Sequence, residues 1–572
     1  MAIPSVFRFA LVIAGLFPIK ALANVPNAAT DSFPKRYHVA APPLETNWTG
    51  QVGTHPWPQH PRPLLFRERW QNLNGIWTYR PAASAEDLLT PPGLPLAREV
   101  LIPSCIESGL SGIQEQGIKW MWFGTTFNLT HDWPTDGRVL LHFEAVDYEA
   151  TVFLNGHKVG SNTGGYFRFS IDIKDHIRHG PNDLLRVSGY INSSSGVPHD
   201  VTIRILDNTG KEVAMHSTYS DQQFNFRVDS PALWTPEEPN LYNITVTMGN
   251  DMAASYTGFR TISRGVVNGV QRPLLNGEFV FLFGTLDQGY WPDGIYVPPT
   301  IDAMLFDIKL LKLVGMNMVR KHIKIEPDLF YHACDQLGLL VFQDMPSMRP
   351  TSNAHDQPPT DAQQAEFERQ VKLMVDEHKS YPSIAAWIIY NEGWGQLDRP
   401  RVNPEFRITD EIRSMDPTRL VNAVSGWWDH GAGDFSDNHH YAEPQCGTPF
   451  YSGPSSAYDN RRIGIQGEFG GIGHVPPERN LWPIEEAVRD MYSTYEINAD
   501  LASYEYRSHV LLGLLRDQIA RFNCSAAVWT QTTDVEGEIN GLVSYDRNFL
   551  RANVKQWRAD IQALYDAAEA RA

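Results

Sequence analysis

The chain has 572 residues, a formal net charge of −18 and a pI near 5.5. That acidic balance argues against nucleic acid and membrane as partners, since both select basic surfaces, and the length implies about three or four domains. Aromatic residues make up 11% of the chain, with 16 Trp, a supply of flat rings that suits sugar stacking and large cores alike.

In chain order, an apolar run from Phe9 to Pro18 follows Arg8 and closes on Ala21-Leu22-Ala23. Residues 1–23 therefore read as a secretory signal, and the protein as extracellular. The run is too short for a membrane anchor, and no other segment is long and apolar enough to span. Sequons at Asn47, Asn128, Asn192 and Asn243 fit export; Asn523-Cys-Ser leads into an apolar run and is expected to be buried. Cys105, Cys334, Cys446 and Cys524 lack metal-ligand spacing, which argues against a disulfide framework and a zinc site. One bridge remains open, with its pairing unassigned.

Residues 24–190 carry short β runs punctuated by Gly, Asn and Asp, among them Gly75–Tyr79, Arg138–Phe143, Ala150–Leu154 before Asn155-Gly156, and Phe167–Ile171. Alternation with an Asn-Gly hairpin predicts an antiparallel, jelly-roll-like β-sandwich. Residues 191–266 hold a second β-rich block, with Val201–Leu206, Phe224–Val228, Tyr242–Thr247 and Tyr256–Ile262, of the size of an immunoglobulin-like module.

The pattern changes over 267–572, where strand-like and helix-like runs alternate. Strands are expected at Phe279–Leu286, Met318–His322, Leu339–Gln343, Ile384–Tyr390, Leu420–Val424, Asn438–Tyr441, Ile463–Gln466 and Ala526–Thr530. Helices are expected at Ile301–Val314, Asp328–Leu337, Ala362–His378, Glu405–Met415 and Asn553–Tyr565. Eight strands with interleaved helices predict a (β/α)8 TIM barrel. The competitor, a doubly wound open sheet, lacks a Gly-rich phosphate-binding turn here.

Two of these strands run apolar residues into a single glutamate flanked by glycine: Trp387-Ile-Ile-Tyr-Asn-Glu392-Gly and Arg462-Ile-Gly-Ile-Gln-Gly-Glu468-Phe-Gly-Gly471. Barrel active sites sit at strand C-termini, and a carboxylate pair is the working apparatus of most glycoside hydrolases. A lone Asn-Glu would more often mark the start of a solvated loop; the second motif shifts the balance.

Several further stretches resemble glycoside hydrolase family 2, the group of β-galactosidases, β-glucuronidases and β-mannosidases. They are Trp70-Gln-Asn-Leu-Asn-Gly-Ile-Trp77, Ile102–Gly109, Phe153–Gly160, Leu233–Tyr242, Asn276–Gly284, Asn317-Met-Val-Arg-Lys-His322 and the two glutamate motifs. The resemblance implies a retaining exo-β-glycosidase acting on carbohydrate ends, with Glu392 as acid/base and Glu468 as nucleophile. Asn391 matches the asparagine that bonds the sugar 2-OH. Arg320 and His322 match pocket positions, while Asp437, His439 and Tyr441 resemble the sixth-strand group, Tyr441 orienting the nucleophile. Trp529 ends the eighth strand where the family places an aromatic platform. The chain departs from the family near Ser188 to Gly196, where a stretch is missing, which predicts a sandwich short of a strand or two with an exposed edge.

The reading requires no cofactor. The loop Gln531–Asn540 carries Asp534, Glu536 and Glu538, evenly balanced between a Ca²⁺ or Mg²⁺ site and an acidic solvated loop. Asp287 is a candidate substrate contact, and Tyr290 and Trp291 are candidate subsite walls against a nearly equal reading as core. Asp344 is read as a pocket or supporting residue. His439 and His440 point to opposite strand faces, so one at most enters the pocket. A β-galactoside comes first as substrate by family frequency alone, with a β-glucuronide or arabinoside as alternative. An inactive carbohydrate-binding protein on the same scaffold is the competing class.

Overall fold

The computed structural model describes residues 36–129, 138–177, 180–185, 200–219, 227–249, 251–348, 358–397, 403–451, 455–483 and 496–572. The signal segment, Asn192 and the junction around Ser188 to Gly196 lie outside these residues. Among those described, no helix is long and apolar enough to cross a membrane.

The first domain pairs a six-stranded sheet with a two-stranded one. The six strands run Arg98–Ile102, Gly75–Pro81, Met121–Leu129, Gly180–Leu185, Glu149–Leu154 and His157–Thr163; Leu140–Phe143 pairs with Phe169–Asp172. Alternation places Trp77 and Tyr79 inside with Val100, Phe127, Val152 and Phe169. The predicted hairpin turns at Asn155 and Gly156, whose φ values of +51° and +85° suit the two central residues of a type I′ turn. The second domain is a four-stranded antiparallel sheet, ordered Glu212–Tyr219, Asp200–Leu206, Tyr242–Met248, Asp251–Thr257. The strand expected at Phe224–Val228 falls largely outside the described residues, and Arg227 and Val228 are not in a strand.

Eight parallel strands form the barrel: Leu282–Asp287, Met318–Lys321, Leu340–Asp344, Ile384–Asn391, Leu420–Ser425, Phe435–His439, Ile463–Gly470 and Cys524–Thr530, numbered one to eight. They are hydrogen-bonded in the order five, four, three, two, one, eight, seven, six. Between strands five and six, Asp434 brings the edges together: its N–H donates to Val421 O at 2.7 Å, and its carboxylate accepts from Val421 N at 2.8 Å. Leu282, Met318, Phe342, Ile388, Phe435, Ile465 and Val528 fill the barrel interior. A second apolar layer lies between the strands and the helices Ile301–Val314, Asp328–Leu337, Asp361–His378, Pro404–Met415, Leu501–Arg521 and Val554–Glu569. Thr300 caps the first helix, and Thr360 with Gln363 closes a capping box on the third. The sixth strand starts three residues earlier than expected, and Leu501–Arg521 is a helix absent from the sequence reading.

Both β domains are tied to the barrel. Arg168 holds Asp328 in two bonds of 2.8 and 2.6 Å, and Tyr256 donates to Asp335 at 2.6 Å. The segment before the first sandwich strand lies across the barrel: Thr46 and Thr49 donate to Asp293 at 2.8 and 2.6 Å, and Trp48 meets Trp291 edge-on. One disulfide joins Cys446 to Cys524, while Cys105 and Cys334 are free.

Candidate active site

Strands four and seven deliver Glu392 and Glu468 to one point at the C-terminal mouth. One ligand atom each of Glu392, His439 and Glu468 lies within 4.8 Å of the others. Three such atoms would suit a cation, but Arg320 Nη1 already sits 3.1 Å from Glu468 Oε1, and its positive charge occupies that role. Glu392 adopts φ +50°, a left-handed conformation rare for a side-chain-bearing residue, with its N–H bonded to Ser425 O at 2.8 Å. The turn between Asn391 and Gly393 thus aims the carboxyl into the mouth.

Arg320, on strand two, is fully buried and organises the floor. It reaches Asp344 through Nε and Nη2 at 3.1 and 2.9 Å, Asn391 Oδ1 at 2.8 Å, and Gly467 O and Glu468 Oε1 at 3.1 Å each. Tyr441 donates its hydroxyl to Glu468 Oε2. His439 Nδ1 is 2.8 Å from Glu392 Oε1 and 3.6 Å from Glu468 Oε1. His322 Nε2 stands 3.8 Å from Glu468 Oε1, and burial followed by the charge of Arg320 holds its ring neutral.

The two carboxyls differ electrostatically. Burial pushes Glu392 up to about 7, opposed only weakly by Arg320. Glu468 is also raised by burial and by Glu392, while Arg320 and the Tyr441 hydroxyl pull it back toward ionisation, as His439 would do only when protonated. A pair held apart in this way supplies one proton donor and one anion.

Other candidates fall elsewhere. Trp529 is fully buried in the layer between strands and helices, its ring 5.0 Å from Trp557 and 5.3 Å from Phe469, so it offers no platform to a ligand. Asp287 is engaged by Lys321 Nζ at 3.0 Å and Gly289 N at 2.8 Å and is tied into the wall of the mouth. Trp291 packs as core, with the Arg547 guanidinium 3.7 Å from its ring centroid. The acidic loop does not converge on a cation: Asp534 is clamped by Arg551 at 2.9 and 2.7 Å, Glu538 accepts from Gln531 and Gln288, and Glu536 is exposed. Asp344 is the partner that aims Arg320. Sequence reasoning missed Ser425, which ends strand five and bonds both Asp437 and His439. Its signal was the Ser-Gly step: Gly426 has φ +87°, and a Cβ there would lie 2.6 Å from the His439 ring.

Two sandwiches preceding a barrel that joins two glutamates across strands four and seven form a glycosidase architecture. Residues 100–194 match a glycosyl hydrolase 2 galactose-binding domain-like model, 185–260 the glycosyl hydrolases family 2 model, and 299–447 that family's TIM barrel domain; the chain belongs to glycosyl hydrolase family 2. A relative from Formosa agariphila, named provisionally as a β-glucuronidase, is 24% identical over 379 residues, 55% of this chain and 35% of its own. A β-galactosidase of Psychromonas ingrahamii is 30% identical over 220 residues, 36% of this chain and 20% of its own. Among solved structures, the Bifidobacterium dentium β-glucuronidase complexed with coumarin-3-O-glucuronide has the same fold at a TM-score of 0.66, with 15% identity over 86% of this chain and 98% of its own. The chain spans between about a third and a half of the length of the two Formosa relatives it matches.

Proposed function

We propose that the protein is a retaining exo-β-glycosidase in which Glu468 attacks the anomeric carbon and Glu392 protonates the departing oxygen. The observation that carries this reading is that one oxygen of each carboxyl lies within 4.8 Å of the other, the close approach that double displacement uses rather than the spacing of about 6.5–9.5 Å that an inverting pair leaves for water. Attack forms an ester between Glu468 and the sugar as the glycosidic bond breaks and the Glu392 proton passes to the leaving group. Water then cleaves the ester, giving its proton to Glu392 and its hydroxyl to the sugar. In this reading Asn391, held by Arg320, would bond the sugar 2-OH through its amide, and Tyr441 would steady Glu468 until it attacks.

For the sugar itself, the β-glucuronide alternative is better supported than the β-galactoside, because the Formosa relatives and the neighbouring solved structures carry that name. The β-galactoside stays as second reading on the Psychromonas relative. A panel of nitrophenyl β-glycosides ranks the two, and proton NMR of the first product tests the mechanism. The product is expected to keep the β configuration; net inversion would overturn the assignment, and silence across a broad panel would favour a binding protein.

A further inference from the structure

We propose that Ser425 and His439 act as a positioning pair that stores the acid proton on Glu392. The inference rests on the acid role given to Glu392 above, and its geometry follows from counting hydrogens. Arg320 Nη1 carries two, and they go to Gly467 O and Glu468 Oε1 at 3.1 Å each. None remains for His439 Nε2, which lies 3.4 Å away. Ser425 Oγ has one hydrogen and donates it to Asp437 Oδ2 at 2.7 Å. Asp437 also accepts from Asn422 Nδ2 and from Gly467 N at 2.7 Å each, and three donors converging on one carboxylate mark it as an ionised acceptor.

With its hydrogen committed, Ser425 Oγ can only accept at 2.9 Å from His439 Nε2. A ring hydrogen therefore sits on Nε2, and in the neutral ring Nδ1 turns a lone pair toward Glu392 Oε1 at 2.8 Å. A contact of that length between two acceptors needs a hydrogen between them, and it belongs to the Glu392 carboxyl.

The surroundings keep the ring neutral. Burial disfavours the imidazolium most strongly; Glu468 and Asp437 act against that, and Arg320 reinforces it. Among the described residues, the charged or titratable groups around the ring are Glu392 just past strand four, Glu468 on strand seven, Arg320 on strand two with His322 just past it, and Asp437 on its own strand, with Asp344 behind Arg320. Ser425 at the end of strand five and Gly426 just after it, which lie against the ring, do not titrate. When Glu392 gives its proton to the leaving oxygen, the carboxylate is left facing a lone pair. That unfavourable contact favours recapture of a proton from the water of the second step. Neither Ser425 nor His439 bonds to the sugar in this scheme.

The tautomer can be read without turnover. In intact protein labelled with ¹⁵N-histidine, the signals of His439, assigned by their loss in His439→Gln, should show a protonated Nε2 and a bare Nδ1 near pH 6. A protonated Nδ1 would overturn the proposal even in an active enzyme, whereas an inactive enzyme with a protonated Nε2 would count only against the glycosidase reading. In kinetics, Ser425→Ala frees the ring to donate from Nδ1 to a Glu392 carboxylate, which stabilises the anion. The alkaline limb of kcat/KM on a poor leaving group should move down by about one pH unit. Ser425→Thr keeps the hydroxyl and should retain the wild-type limb. An unmoved limb in folded Ser425→Ala, or an equal shift in both variants, would overturn the proposal; if neither variant folds, the ¹⁵N measurement decides.

Discussion

Asp344 grips Arg320 along one edge of the guanidinium, at 3.1 Å to Nε and 2.9 Å to Nη2, with both side chains sealed from solvent. That grip leaves Nη1 pointing at Glu468. Asp344→Ala removes the counter-charge from a fully buried arginine and is expected to cost about 3–5 kcal/mol of stability. Arg320 would also lose its aim, so kcat/KM should fall with it. Urea unfolding and kinetics on the same preparation check both; a wild-type unfolding midpoint would show that the grip contributes little.

The two glutamates should separate under mutation. Glu468→Ala is expected to abolish turnover on every substrate, because no ester can form. Glu392→Ala should still form the ester from a dinitrophenyl glycoside, whose leaving group needs little protonation, and azide should then raise its rate and yield a β-glycosyl azide. Wild-type behaviour of Glu392→Ala on unactivated substrates would move the acid elsewhere, with Glu443 and Glu536 next to test.

The pH profile follows from the protonation states. Glu392 must be protonated to act, and burial raises it to about 7, so activity on poor leaving groups should decline as pH rises through about 7. Glu468 must be ionised, and burial raises it above the ordinary carboxylate range, so the acid limb should lie higher than for a free glutamate. In Glu392→Gln the alkaline limb should disappear from the residual rate on an activated substrate. Its persistence would assign that limb to another group.

Cys446 and Cys524 enclose strand seven within a loop of sequence separation 78. Removing the bridge in a Cys446→Ala, Cys524→Ala double variant should lower stability by about 2–4 kcal/mol. Thiol titration in denaturant should find two free thiols before reduction, Cys105 and Cys334, and four after it. Four before reduction would remove the bridge from the fold.

The barrel was legible because strand-length apolar runs alternated with capped helices, and six of the expected site residues converge because strand ends fix where they point: Glu392, Glu468, Asn391, Arg320, His439 and Tyr441. Trp529 was misread because the whole strand Cys524–Thr530 is buried, so its pattern does not say which face looks inward and which toward the helices. Asp534 was left between a cation ligand and a solvated loop residue because its partner, Arg551, lies 17 residues downstream and carries no local signal of the pairing. The disulfide was open for a like reason: four cysteines at irregular spacing do not reveal which two meet. Helix Leu501–Arg521 escaped because polar residues interrupt its apolar face, and packing on the barrel rather than local pattern holds it there.

The early segment that crosses the barrel has a practical bearing on how the protein can be cut. Asp293 receives two hydroxyls from Thr46 and Thr49, and Trp291 is covered by Trp48 on one edge while Arg547 lies against its ring. A fragment beginning at the barrel would leave that buried carboxylate without its two hydroxyl donors and bare an edge of the indole in the loop after the first strand. The stretch from Thr46 to Thr49 is thus part of the barrel's own seal, and a shortened version of the protein has to keep it or replace the contacts it makes.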